Sequence, residues 1–244
     1  MRSIKDHPFA VEAFFESSLV LTFALPKDRL RPLVPTCLEL DTFRDEYAFL
    51  AVAMVRTKDL RPKGLPKLFG NDFFLIGYRI FVRFTDASGK CLRGLYILRS
   101  ETDSRRMEFF GNIFTHYSYK TTDINESTER NLRLISSKTS AFDVAIELTN
   151  EDIALPDNSP FTTWQEARKF AGPLPNTFSC DEKAKTLLII EGVRQNWKPQ
   201  PVKIKGYHFE FLRELGFDDA ILANTFAIEN VPYHWKKGRI EKWR

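Results

Sequence analysis

Between Leu92 and Lys120 a strand-like run ends in Arg99 and Glu101, and a short amphipathic stretch leads to Phe114-Thr115-His116-Tyr117-Ser118-Tyr119-Lys120. Nowhere else in the chain do polar, reactive side chains crowd so closely. Side chains alternate along a strand, so Leu95, Ile97, Arg99 and Glu101 are expected on one face. There the planar fork of Arg99 would bind a substrate carboxylate, and Glu101 in an apolar cavity would move protons. The alternative for this pair is a salt bridge at the rim. His116 beside Tyr117 and Tyr119 offers a proton-transfer group next to phenolic donors, a combination suited to acid–base chemistry near neutral pH. A hydrogen-bonded structural histidine is the competing reading. Arg79 stands mid-strand among apolar neighbours, so it points either inward as an anion ligand or outward as a solvated strand arginine.

These groups need elements to hold them, and period-two patterning dominates the chain. β-Branched and aromatic runs separated by turn residues predict a mainly β protein with minor α content. Glu46 to Val55 is apolar on both faces, as expected of a strand covered on both sides. Phe74 to Phe84 has two distinct faces, and Asp86-Ala87-Ser88-Gly89 supplies turn chemistry before Leu92 to Leu98, which predicts a hairpin. Further strands are expected near Leu132–Ile135, Phe142–Leu148, Lys185–Arg194, Val202–Tyr207 and Ala223–Val231. Helices are expected near Lys27–Leu33, Ser104–Phe114 and Trp164–Phe170. In the second, Met107, Phe110 and Phe114 fall at helical spacing, with Asp103 placed as its cap. In the third, Thr163 and Glu166 form a capping-box pattern, and Gly172-Pro173 ends it. Many closely spaced strands without β-α-β alternation predict a closed or nearly closed β barrel with a few flanking helices; a sandwich is the alternative.

At 244 residues, 43% hydrophobic and 28% charged, the composition is that of an ordinary globular chain. No segment reads as a flexible linker, so 1–244 is expected to be a single domain. The formal charge of +4 is small, and bases are interleaved with acids, so charge alone does not imply nucleic acid. Cys37, Cys91 and Cys180 lack Cys-x-x-Cys spacing, which fits free thiols and a cytoplasmic location. Met1 to Pro8 lacks the apolar core of a signal peptide, and no run reaches membrane-spanning length, so no membrane partner is expected. There is no Gly-x-Ser-x-Gly elbow, Walker A loop, dinucleotide fingerprint or His-Glu-x-x-His helix. The four histidines are scattered, so neither a metal nor another cofactor is expected. Sites assembled from distant strands leave no such local pattern.

Leu25-Pro26, Leu30, Leu33-Val34-Pro35, Leu38-Glu39-Leu40-Asp41 and the Tyr47 to Val55 strand resemble the opening of an uncharacterised bacterial branch of the acetoacetate-decarboxylase-like superfamily. Gly94-Leu95-Tyr96, the Arg105 to Phe114 helix, a His116-Tyr117-Ser118-Tyr119 strand, and Trp197 followed by Pro199 continue the resemblance over most of the chain. It implies a cone-like β barrel, the acetoacetate-decarboxylase-like barrel, with a small-molecule site inside. In the decarboxylase, a lysine within the barrel forms an imine with a β-keto acid, and a neighbouring lysine depresses its pKa. This sequence departs from that pattern. His116 and Tyr117 stand near the matching place, Lys120 is the nearest lysine, and no second lysine adjoins it. Lys236-Lys237 precede Gly238 in what reads as an exposed turn.

Toward the end of the chain, Lys198, Lys203, Lys205, Tyr207 and His208, then Tyr233 to Lys237, Arg239 and Lys242 to Arg244, interleave basic and aromatic residues. Single-stranded nucleic acid could stack on such a surface if it were continuous, but lysines also guard exposed strand edges, and that reading is favoured. The expectation is therefore a pocket for a small carboxylate or oxo-acid ligand. Arg79, Arg99 and Tyr119 would bind it; Glu101, His116 and Tyr117 would serve a lysine-independent decarboxylation or related acid–base reaction, with Lys120 a weaker candidate for an imine. A non-catalytic binding protein on the same scaffold remains the alternative, and the chain is compatible with a homo-oligomer.

Overall fold

The computed structural model describes residues 4–149, 152–195 and 197–243. Its strands are β1 (Val11–Pro26), β2 (Glu39–Leu40), β3 (Tyr47–Pro62), β4 (Asn71–Thr85), β5 (Cys91–Thr102), β6 (Tyr119–Thr121), β7 (Asn125–Glu129) and β8 (Leu132–Ser137). They continue with β9 (Phe142–Glu147), β10 (Asn176–Asp181), β11 (Thr186–Arg194), β12 (Gln200–Pro201), β13 (Lys203–Phe209), β14 (Ile221–Trp235) and β15 (Arg239–Lys242). The helices are α1 (Lys27–Leu30), α2 (Arg105–Phe114), α3 (Trp164–Ala171) and α4 (Glu210–Glu214).

Strand pairing in the large sheet closes on itself. From β14 it passes through β1, β3, β4, β5, β10 and β11 and returns to β14, giving a barrel-like ring. The ring is antiparallel except where β5 meets β10. A second sheet, ordered β13-β9-β8-β7, packs on its outside. Alternation decides the two faces. Leu19, Leu21 and Phe23 of β1, Leu50, Val52 and Met54 of β3, and Ile76, Tyr78 and Ile80 of β4 join Ile135, Phe142, Val144 and Phe209 in one outer core. Residues of opposite parity, including Val20, Ala53, Val55 and Phe81, face the inside.

Both ends of the ring are covered by helices. Ala167 and Ala171 of α3 pack against Phe49, Phe81 and Phe161, plugging one end. At the other, Met107 of α2 packs with Phe73 and Tyr119. Gly111 is needed there, because a Cβ would lie 2.5 Å from the Tyr119 ring. Asn112 then clamps the backbone of β6, accepting from Tyr119 N at 2.7 Å and donating to Tyr119 O at 2.9 Å.

The hairpin predicted from the Asp86 to Gly89 turn is present, with Phe84 opposite Leu92. The cap of α2 is Ser104, whose hydroxyl accepts from Met107 N; Asp103 instead accepts from Phe74 N at 2.7 Å and ties the helix start to β4. Strand β6 starts only at Tyr119, so His116 to Ser118 form a bend rather than the expected strand. The expected first helix shortens to α1 followed by a 3-10 turn over Arg31–Leu33, where Pro32 interrupts the α-helical bonding. Strand β1, the longest with β3, was not anticipated, because Glu12, Glu16 and Ser17 interrupt its apolar pattern. Cys37 and Cys180, distant in sequence, bring their sulfurs to 2.7 Å, and burial raises both thiol pKa values.

Candidate functional site

Inside the ring lies a cavity of about 500 Å³. Val20, Ala53, Val55, Leu75, Phe81 and Ile97 give it apolar walls, and the small Ala51 and Ala53 of β3 leave the space that larger residues would fill. Among the described residues that line it there is no lysine, aspartate or glutamate.

Arg79 projects into this cavity from β4, opposite Ala51 of β3 and Ile97 of β5. Its guanidinium folds over Gly77, where a Cβ would come within 2.7 Å of Nε. That nitrogen is buried and has no hydrogen-bond partner. Burial pushes the arginine below its ordinary range, with a smaller opposing influence from Tyr119, Tyr233 and Tyr117. Tyr233 belongs to β14, which is separated from β4 by β3 and β1 along one arc of the ring and by β5, β10 and β11 along the other. Only the interior of a ring brings side chains from such distant strands together. The other cavity arginines are engaged: Arg61 pairs with Glu12 at 2.6 Å, Arg194 donates to Pro173 O and lies over Trp197, and Arg106 lies over Phe110.

Three phenols and one imidazole stand beside the arginines, and Ser18, Thr57, Asn71, Ser100, Thr115 and Thr177 also line the cavity. Burial raises Tyr117, Tyr119 and Tyr233 above the usual phenol range, so each remains a neutral O–H donor at physiological pH. Tyr117 also hydrogen-bonds the Thr177 side chain. Gly192 makes room for Tyr233, since a Cβ there would collide with the phenol oxygen. His7 is 6% exposed, and its Nε2 has no partner. Burial lowers its pKa to about 4, so it is neutral at pH 7 and a weaker base than a solvated imidazole. Sequence reading passed over His7, because a histidine before Pro8, outside any periodic run, gives no signal. Tyr233 appeared only within the basic and aromatic tail.

Arg99 and Glu101 do not share the face of Leu95 and Ile97. Arg79 pairs with Ile97 while Tyr78 pairs with Arg99, so Leu98 is an extra residue, a β-bulge that reverses the alternation. Ser100 consequently lines the cavity, and Arg99 and Glu101 face the outer layer. There Arg99 Nε donates to Glu101 Oε1 at 2.7 Å, Nη1 lies 3.6 Å from Glu214, and the guanidinium covers Phe211. The pair holds α4 against β5. Thr115 and Tyr117 border the cavity, but His116 between them turns outward, its side chain 40% exposed and Nε2 3.3 Å from Asp6. Lys120 is exposed beside Glu101 in the β5–β6 pairing and does not border the cavity. Of the residues singled out in the sequence, the structure brings Arg79, Tyr117 and Tyr119 together and separates Arg99, Glu101, His116 and Lys120 from them.

The basic and aromatic residues near the end of the chain do not form one exposed face. Tyr233 stacks with Phe15, Trp235 meets the same ring edge-on, and both line the cavity, while Lys203 and Lys205 pair with Glu147, and Lys236 with Glu191. Among the described residues, no helix is long and apolar enough to cross a membrane.

A family model described as an uncharacterized conserved protein, DUF2071, matches residues 13–240. The chain belongs to the DUF2071 family. No curated protein matches this DUF2071 chain significantly. Among solved structures, acetoacetate decarboxylase from Legionella pneumophila is similar at 11% identity and a TM-score of 0.62, over 96% of this chain and 88% of that one. An acetoacetate-decarboxylase-like enzyme from Sphingomonas wittichii gives 11% identity and 0.58, over 99% and 95%. The enduracididine biosynthesis enzyme MppR, in complex with pyruvate, gives 8% identity and 0.54, over 96% and 90%. At such identities the likeness is one of fold. This DUF2071 protein therefore has the acetoacetate-decarboxylase-like fold, in agreement with the resemblance read from its sequence.

Proposed function

We propose that the ring cavity binds a small carboxylate of the oxo-acid class, with Arg79 holding the carboxylate. The observation that carries this reading is an arginine aimed into the cavity whose buried Nε has no hydrogen-bond partner and which has no acidic partner, in a cavity lined by no carboxylate among its described residues. A buried charge left unpaired is costly, and an anionic ligand is the counter-charge that the site lacks. MppR, whose complex contains pyruvate, shares the fold and supports the ligand class.

The chemistry open to such a ligand is acid–base and needs no lysine. Loss of carbon dioxide from a β-oxo acid, or of a proton from the carbon next to the keto group of either kind of oxo acid, gathers negative charge on the keto oxygen as an enolate. The neutral phenols of Tyr117, Tyr119 and Tyr233 are donors suited to that oxygen, and preorganised donors aimed at developing charge lower a barrier effectively. His7 is the proton acceptor in the same cavity. Binding without turnover is the second reading. It is favoured by the absence of lysine and carboxylate side chains from the described lining residues, which removes the imine route and leaves His7 as the cavity's neutral base.

Calorimetric titration of pyruvate and acetoacetate into the wild type, Arg79→Met and Arg99→Met tests the assignment. Loss of a charged hydrogen bond should weaken binding roughly tenfold to a hundredfold in Arg79→Met. Arg99→Met, altered outside the cavity, should bind as the wild type does. Equal affinity in all three proteins removes the proposal. Following acetoacetate by proton NMR in the same samples separates an enzyme from a binding protein.

A further inference from the structure

The cavity is longer and more apolar than a short oxo acid requires. At about 500 Å³ it falls within the range of pockets that enclose drug-sized ligands, whereas a short oxo acid would leave most of it empty. Lining residues run along β4 from Phe81 to Asn71, and along β3 from Ala51 to Pro62. From Gly77, over which the Arg79 guanidinium folds, to Asn71 is roughly 20 Å of extended strand, and a sphere of the cavity's volume would be only about 10 Å across. The space is therefore a channel. Val55, Leu75, Phe73 and Leu60 line it on the way, and the cation sits well inside.

At the far end the channel reaches solvent through an apolar rim. Phe69 and Phe110 line the cavity and are also 55% and 46% exposed, while Leu68 and Phe109 beside them are 89% and 63% exposed. These residues come from two elements, the β3–β4 connection and α2, linked by a long contact from Arg106 Nη2 to Phe69 O. Large apolar side chains left in water beside a cavity mark a ligand-binding entrance more readily than an inert surface.

We infer that the physiological ligand is an amphipathic carboxylate, with one anionic head on Arg79 and an extended apolar body running along β3 and β4 to the Phe69 and Phe110 rim. The inference rests on the carboxylate reading of Arg79 and narrows it to a substrate class: straight-chain or similarly elongated monocarboxylic acids rather than short polar oxo acids.

The test is a chain-length series titrated into the intact protein: butanoate, hexanoate, octanoate, decanoate and dodecanoate, with pyruvate as the short polar acid and decanol as the uncharged control. Affinity should rise about fourfold for each added methylene while the body remains inside the channel. Decanoate should bind well above pyruvate and decanol, and Arg79→Met should abolish the advantage of decanoate over decanol. Val55→Phe, which narrows the channel between head and rim, should reduce decanoate binding while leaving butanoate unchanged. Phe110→Ser, at an exposed position that does not support the core, should weaken the longest acids selectively and serves if Val55→Phe fails to fold. A flat chain-length response, with pyruvate bound in an Arg79-dependent manner, overturns this inference alone. No Arg79-dependent binding of any acid, short or long, overturns the carboxylate reading with it.

Discussion

Replacing Arg79 by methionine should make the ligand-free protein more stable. The guanidinium Nε is buried without a partner, and burial alone pushes the group away from its charged form. Methionine is unbranched, apolar and able to fill the same gap between Gly77 and the phenols. Leaving a buried polar group unsatisfied costs about 1–3 kcal/mol, and water entering the cavity can recover part of that cost, so the gain should be about 1–2 kcal/mol. For a chain of this size that corresponds to a rise of roughly 2–8 °C in Tm. Urea denaturation and calorimetry of ligand-free samples measure it, and an unchanged urea slope would show that both proteins unfold from equally compact states. Saturating carboxylate should cancel that gain, since a ligand that binds the wild type tenfold to a hundredfold more tightly than Arg79→Met adds about 1.4–2.7 kcal/mol more to the wild type. A ligand-free Arg79→Met protein less stable than the wild type by more than about 1 kcal/mol would refute the reasoning, because the arginine would then have a stabilising partner.

Three further outcomes are expected. His7, with a folded pKa of about 4 against an ordinary value of 6.5, binds its proton more readily when unfolded, so stability should fall as pH drops from about 6.5 to about 4, by up to about 3 kcal/mol; urea melts of wild type and His7→Asn at pH 7.5 and 5 should differ in this loss, and parallel behaviour would place His7 in solvent. Gly192→Ala should destabilise by about 1–3 kcal/mol through its collision with Tyr233, whereas Gly206→Ala on β13, where a Cβ meets nothing, should change stability by less than about 0.5 kcal/mol in the same denaturant assay. Borohydride treatment with oxo acids should leave Lys120 unmodified on peptide mapping, since no described lysine borders the cavity; a substrate-dependent adduct there would overturn the lysine-free chemistry.

Sequence periodicity carried much of the architecture. The alternation from Phe74 to Phe84 and the turn at Asp86 to Gly89 determine the β4–β5 hairpin locally, and the Thr163 and Glu166 pattern places α3, where Glu166 N donates to the Thr163 hydroxyl. The site was less legible, because a cavity is made by residues that meet only when the ring closes. Arg79 could be noticed as a polar residue in an apolar strand, but its partners on β14 lie far away in sequence. Arg99 and Glu101 were misplaced because strict alternation contains no information about an extra residue, and Leu98 looks like any other strand leucine. His116 seemed chemically apt by type, yet the bend before β6 turns it outward.

That bulge gives β5 a phase as well as a sequence. Upstream of Leu98, one parity of side chains belongs to the inner compartment; downstream, the same parity belongs to the outer one. Straightening the bulge with Leu98 drawn into regular alternation would exchange the two assignments, sending a charged Arg99 and Glu101 inward and Ser100 outward, whereas deleting Leu98 would leave a regular strand with both assignments unchanged. The polarity of the chamber is thus encoded partly by counting: the strand keeps its ionic pair out of an apolar channel through one unpaired step in its register, with no change in the identity of either charged residue.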